Sequence, residues 1–124
     1  MERMTIRQYL ATNPVQDRKS KYGNLKTEYN GYVYMSKKEA NYAQELDYRK
    51  KEKNIEKRVL NYEKQVPFQI ILNGKKICKY IADFKVFYAC GRVEIIDVKG
   101  VRSNVYILKK KLVEAQYGIE IIEK

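Results

Sequence analysis

The chain has 124 residues, with 26 Lys and Arg against 15 Asp and Glu, a formal net charge of +11, two cysteines and no histidine. That length supports one modest core. The missing histidine excludes a Cys/His zinc centre within one chain and a Ser or Cys nucleophile worked by a His base, while two thiols are too few for a disulfide-built scaffold. The basic excess favours a polyanionic partner, nucleic acid first, and leaves any chemistry to carboxylates, Lys, Arg, Tyr or a bound hard cation.

In chain order, MTIRQYLAT reads as a short helix ended by Asn13-Pro14, and residues 13–27 as a polar, basic arm without periodicity. The expected organisation is therefore an N-terminal lead-in over 1–27 and a single domain over 28–124. No apolar block of signal-peptide length opens the sequence, and no run approaches the roughly 20 apolar residues of a membrane span. The expectation is a cytoplasmic protein with reduced thiols and no membrane partner.

Asn30-Gly31 in TEYNGYVYMS is a strong hairpin signal. A helix is expected from Ser36 through SKKEANYAQELDYRKKEK, where Ser36 and Glu39 fit a capping box and Ala40, Tyr42, Ala43 and Leu46 form the inward stripe. The charged stretch from Asp47 to Lys64 reads as a solvated helix end and connection, or an exposed basic face. From Val66, VPFQIIL, the Asn73-Gly74 turn, KICKYIADFKVFYA, a turn at Gly91 and RVEIIDVKG read as consecutive antiparallel strands. SNVYILKKKLVEAQYG then sets Val105, Leu108, Leu112 and Ala115 at helical spacing, with Gly118 at its end. IEIIE closes as a strand, and the strand, helix, strand order predicts a parallel crossover. The fold class is α/β, a mixed sheet of four or five strands flanked by helices.

Two acids, Asp83 and Asp97, sit inside these apolar runs. Strand alternation puts Asp97 and Lys99 on one face at a strand end, just before Gly100. A two-residue Cys90-Gly91 loop would turn Asp83 away from Asp97; a three-residue Ala89-Cys90-Gly91 loop, with Gly91 left-handed, would set them opposite each other. Opposed carboxylates repel by up to about 1 kcal/mol, and a divalent cation between them removes that penalty, with Mg²⁺ or Mn²⁺ matching an all-oxygen donor set. Glu39, on the inward stripe of its helix, is a third acid, and capping competes to explain it. Acid-x-Lys alone is weak: Asp17-Arg18-Lys19, Asp83-Phe84-Lys85 and Asp97-Val98-Lys99 all match, and the second would need a partner such as Glu63. The plainer alternative pairs Asp83 and Asp97 with Lys85, Lys99 or Arg92 at exposed edges.

Ala82-Asp83, followed fourteen positions later by Asp97-Val98-Lys99-Gly100, resembles the signature of the PD-(D/E)XK nuclease superfamily, with Ala82 where the leading proline stands. The wider pattern, NGYVYMSKKEANYAQEL before it and DVKGVRSNVYILKKKLVEAQYGIEI after it, is similar to small phage-encoded endonucleases related to phage junction-resolving enzymes. The resemblance covers residues 24–124 and implies a restriction-endonuclease-like αβββαβ core. It implies that Asp83, Asp97, the Val98 carbonyl and Glu39 hold Mg²⁺ or Mn²⁺, that Glu39, Asp83, Asp97 and Lys99 are catalytic, and that Arg102, Tyr106, Lys109 and Lys110 contact nucleic acid. The function implied is a metal-dependent DNA endonuclease, structure-selective for branched or junction DNA in phage DNA processing. It would act in the host cytoplasm, as a homodimer that cuts two strands, without an organic cofactor. Two further readings are a non-catalytic nucleic-acid-binding module on the same fold and a structural protein whose tyrosines pack a partner.

Overall fold

The structure is a computed structural model that describes residues 25–98 and 102–124. The expected helix in MTIRQYLAT, most of the basic arm, and Lys99 with Gly100 lie outside the described residues. The elements are β1 (Thr27–Tyr29), β2 (Tyr32–Tyr34), α1 (Lys37–Arg49), β3 (Val59–Leu72), β4 (Lys75–Tyr88), β5 (Val93–Asp97), α2 (Asn104–Tyr117) and β6 (Ile121–Glu123). From α1 onward the order is αβββαβ. The chain divides into two compact units, Met1–Glu45 and Leu46–Lys124. Among the described residues no helix is long and apolar enough to cross a membrane.

In the first unit β1 and β2 form an antiparallel hairpin with Thr27 opposite Tyr34 and Tyr29 opposite Tyr32. Asn30 (φ 52) and Gly31 (φ 79) are both left-handed, the conformation that lets a two-residue loop match strand twist. Ser36 then caps α1: its Oγ accepts the amide of Glu39 at 3.1 Å and its carbonyl accepts that of Ala40 at 3.2 Å. Ala40, Tyr42, Ala43 and Leu46 are buried, as their spacing predicts. The helix stops at Arg49, short of the expected Lys53. The amides of Lys50, Lys51 and Glu52 bond the carbonyls three residues back, a tightened last turn where the sequence has no apolar residue left to bury.

The second unit is built on a four-stranded sheet in the order β3-β4-β5-β6, antiparallel except for the β5–β6 pair. The parallel crossover through α2 is as expected. β3 begins at Val59, well before the expected Val66. As an edge strand it needs only one buried face, so LNYEKQ carries polar residues that read in sequence as a solvated connection.

Ser103 caps α2 by accepting the amide of Tyr106, and Gly118 (φ 65) ends it with its N–H on the Glu114 carbonyl. The inward face of α2 differs in part from the expected one, of which Leu112 packs against the core. Tyr106 and Val113 are buried against Ile70, Tyr80, Ala82, Ile95 and Ile121, whereas Val105 and Leu108 are 62% and 58% exposed. Polar anchors set this rotation. Glu114 Oε2 accepts the Ile121 amide at 2.8 Å. Gln116 accepts the Ile71 amide at 2.9 Å and donates to the Gln69 carbonyl at 2.8 Å, with the Tyr117 hydroxyl also donating to Gln69 at 2.9 Å. Gln116 thus stands where a further strand would pair with the rim of β3.

The β3–β4 hairpin changes face midway. Tyr80 and Ala82 pack on the α2 side with Ile95, yet Phe84 is cross-strand from Ile96, whose side chain points to the other side of β5. Ala82, Asp83 and Phe84 are consequently buried in succession. Across from them the register runs unshifted from Lys64↔Phe84 to Val66↔Ala82, and Gln65, between the two pairs, has φ 54. A left-handed Gln costs about 1–2 kcal/mol, so the surrounding sheet has to impose it.

Candidate active site

The β4–β5 connection is Ala89-Cys90-Gly91. Tyr88 N donates to Arg92 O at 2.9 Å, Gly91 N to Tyr88 O at 3.0 Å, and Gly91 has φ 95. Ala89 N donates to Arg58 O at 2.8 Å, and the Arg92 guanidinium lies 4.2 Å from the centre of the Tyr88 ring, so the loop is held at both shoulders. The register that results, Phe87↔Val93 through Phe84↔Ile96, has the odd parity expected, the parity that sets Asp83 and Asp97 at the same end of the two strands.

Both acids are buried, Asp83 at 9% and Asp97 at 0% exposure, so neither lies at an exposed edge. Asp83 Oδ2 accepts the amide of Val98 at 2.8 Å, a charge-assisted bond inside the protein. Asp97 Oδ2 accepts the hydroxyl of Tyr80. Tyr80 reaches it because the face change at Asp83 puts Tyr80 on the same side of the sheet as Ile95 and Asp97. Burial pushes the Tyr80 hydroxyl far above the ordinary tyrosine range; the bond to Asp97 and its charge add to the shift, as do Tyr106 and Asp83. Tyr80 therefore stays protonated and acts as a donor. Both carboxylates act on this one hydroxyl.

A second layer follows. Tyr106, its ring centre 6.3 Å from that of Tyr80, donates its hydroxyl to Glu123 Oε2 at 3.0 Å, and Arg102 Nε lies 3.0 Å from the same oxygen. Burial raises Tyr106 as well, with Asp97 and Glu123 contributing and Arg102 opposing.

Among the sequence-derived candidates, Asp83, Val98 and Asp97 are brought together at the end of β5. Lys99 lies outside the described residues. Glu39 belongs to the first unit, half-buried, with its amide on Ser36. Tyr106 is a core residue, 7% exposed, and Arg102 sits against Glu123. Lys110 is 3.6 Å from Glu114, and Lys109 is half-buried. Glu63 is exposed and cross-strand from Lys85. Tyr80 and Glu123 are the members that sequence reasoning missed. Tyr80 had no signal, because regular alternation would have turned it away from Asp97.

Two carboxylates on neighbouring strands form an oxygen donor pair of the kind that suits a hard divalent cation. Among the described residues no group of three or more His, Cys, Asp and Glu is gathered to hold a metal ion. The pair fits Mg²⁺ or Mn²⁺ by donor chemistry and needs the Val98 carbonyl, water or substrate oxygens to complete the coordination.

Fold and site define an α/β protein with paired acids buried at a strand end. The chain belongs to the family described as "Protein of unknown function (DUF1064)", whose model matches residues 19–121. No curated protein and no solved structure matches it.

Proposed function

We propose that the protein is a divalent-cation-dependent DNA endonuclease that hydrolyses phosphodiesters by direct attack of water. The observation that supports this most is the convergence of Asp83 and Asp97 inside the protein. Two like charges at one level of adjacent strands oppose folding, and a core has no need of them. The resemblance in the motif and the net charge of +11 point the same way.

In this reading the carboxylates of Asp83 and Asp97 and the Val98 carbonyl hold Mg²⁺ or Mn²⁺, which supplies charge stabilisation at the phosphoryl group and a more acidic water. Lys99 orients that water or stabilises the charge that develops. Arg102, Lys109 and Lys110 contact the phosphate backbone. The role of Glu39 rests on the resemblance alone. A branched or junction substrate and a homodimer with two sites are part of the proposal.

The test incubates purified protein with linear, single-stranded, flapped and four-way-junction DNA in Mg²⁺ or EDTA, beside Asp83→Ala, Asp97→Ala and Lys99→Ala. The expected result is cutting that EDTA abolishes and that each variant lowers by about 10²-fold or more. Binding without cutting in either Mg²⁺ or Mn²⁺ would replace the proposal with a non-catalytic nucleic-acid-binding module.

A further inference from the structure

The geometry points to Tyr80 as a positioning residue whose hydroxyl, by donating to Asp97 Oδ2, holds that carboxylate in one orientation for the cation. The inference rests on the cation-dependent reading above. Asp97 is fully buried, so its orientation is set by protein groups and not by bulk water. The donor is itself immobile. Tyr80 is 4% exposed within the cluster of Ile70, Ala82, Ile95, Val113 and Ile121, and its ring centre lies 6.3 Å from those of both Phe68 and Tyr106. The core therefore fixes where the hydroxyl stands, and the carboxylate adjusts to it.

A carboxylate that turns about its last torsion has to be ordered when a cation binds, and a fixed hydrogen bond does that ordering beforehand. Tyr106 provides the control. It sits in the same cluster and carries the same hydroxyl, but donates it to Glu123.

The experiment compares the wild type with Tyr80→Phe and Tyr106→Phe. It measures Mn²⁺ binding by electron paramagnetic resonance of the free ion, the Mg²⁺ dependence of DNA cutting, and the thermal midpoint. Tyr80→Phe is expected to fold, to need about 10- to 100-fold more Mn²⁺ for half-saturation, and to recover cutting at saturating cation. Tyr106→Phe is expected to bind Mn²⁺ as the wild type does. If Tyr80→Phe does not fold, p-aminophenylalanine at position 80 keeps the ring with a weaker donor and is expected to bind Mn²⁺ several-fold more weakly than the wild type, by about 3- to 10-fold. Wild-type affinity in the folded Tyr80 variant, or an equal loss in Tyr106→Phe, overturns the positioning role and leaves the nuclease reading standing. A wild type that neither binds Mn²⁺ nor cuts DNA overturns both, and is told apart because the unaltered protein is then silent.

Discussion

Asp83 holds two opposing terms at one position. Its Oδ2 satisfies the buried amide of Val98, while its charge stands in the core at the level of a second carboxylate. The two can be separated. Asp83→Asn keeps an acceptor for Val98 and removes the charge, so in metal-free buffer it is expected to be at least as stable as the wild type. Asp83→Ala leaves the amide unpaired and is expected to lose about 1–3 kcal/mol. Urea unfolding in EDTA measures both, and an Asn variant less stable than the Ala variant would contradict the assignment. Added Mg²⁺ is expected to stabilise only the wild type, because a ligand that binds the folded state alone shifts the equilibrium by mass action.

At the level of elements, β3 has a rim that invites another strand, and α2 closes part of it. Gln116 offers its amide oxygen to Ile71 and its amide nitrogen to Gln69, much as a neighbouring peptide would, and Pro67 nearby has no N–H to offer. Gln116→Ala is expected to cost about 1–2 kcal/mol and to raise self-association, read as a concentration-dependent shift in sedimentation. Much of this architecture was legible in sequence where chemistry is local: the Asn-Gly turns, the Ser36 helix start, the Gly118 stop, and the parity set by Gly91. What was not legible depends on tertiary contacts. The first half of β3 looks polar because it is an edge. The α2 face differs at its first turns because Glu114 and Gln116 set the helix so that Tyr106 and Val113 point in beside Leu112, leaving Val105 and Leu108 exposed. In the site, the acids were visible as anomalies in apolar strands, whereas Tyr80 became a neighbour of Asp97 only through the face change opposite Gln65.

For the whole molecule, the tyrosines tie global stability to alkaline pH. Tyr80, Tyr88 and Tyr106 are all raised above the ordinary value of about 10, in each case first by burial, with carboxylate neighbours adding to the shift. Below pH 10 these hydroxyls are protonated in both the folded and the unfolded chain. Above it only the unfolded chain releases its protons, so stability falls as pH rises, by about 1.4 kcal/mol per pH unit for each tyrosine that stays protonated in the fold. Unfolding free energy is expected to be level from pH 7 to 9 and to drop beyond 10, and Tyr80→Phe is expected to make that drop shallower. The hairpin at Ala89-Cys90-Gly91 carries a constraint of another kind, on ancestry. A residue added there changes the partner of Asp83 only if the turn keeps its three residues and the strands slide by a step, whereas a longer turn absorbs it and leaves the pairing in place. Relatives that keep both acids should therefore vary in the length of this turn and not in the number of strand residues between the turn and each acid.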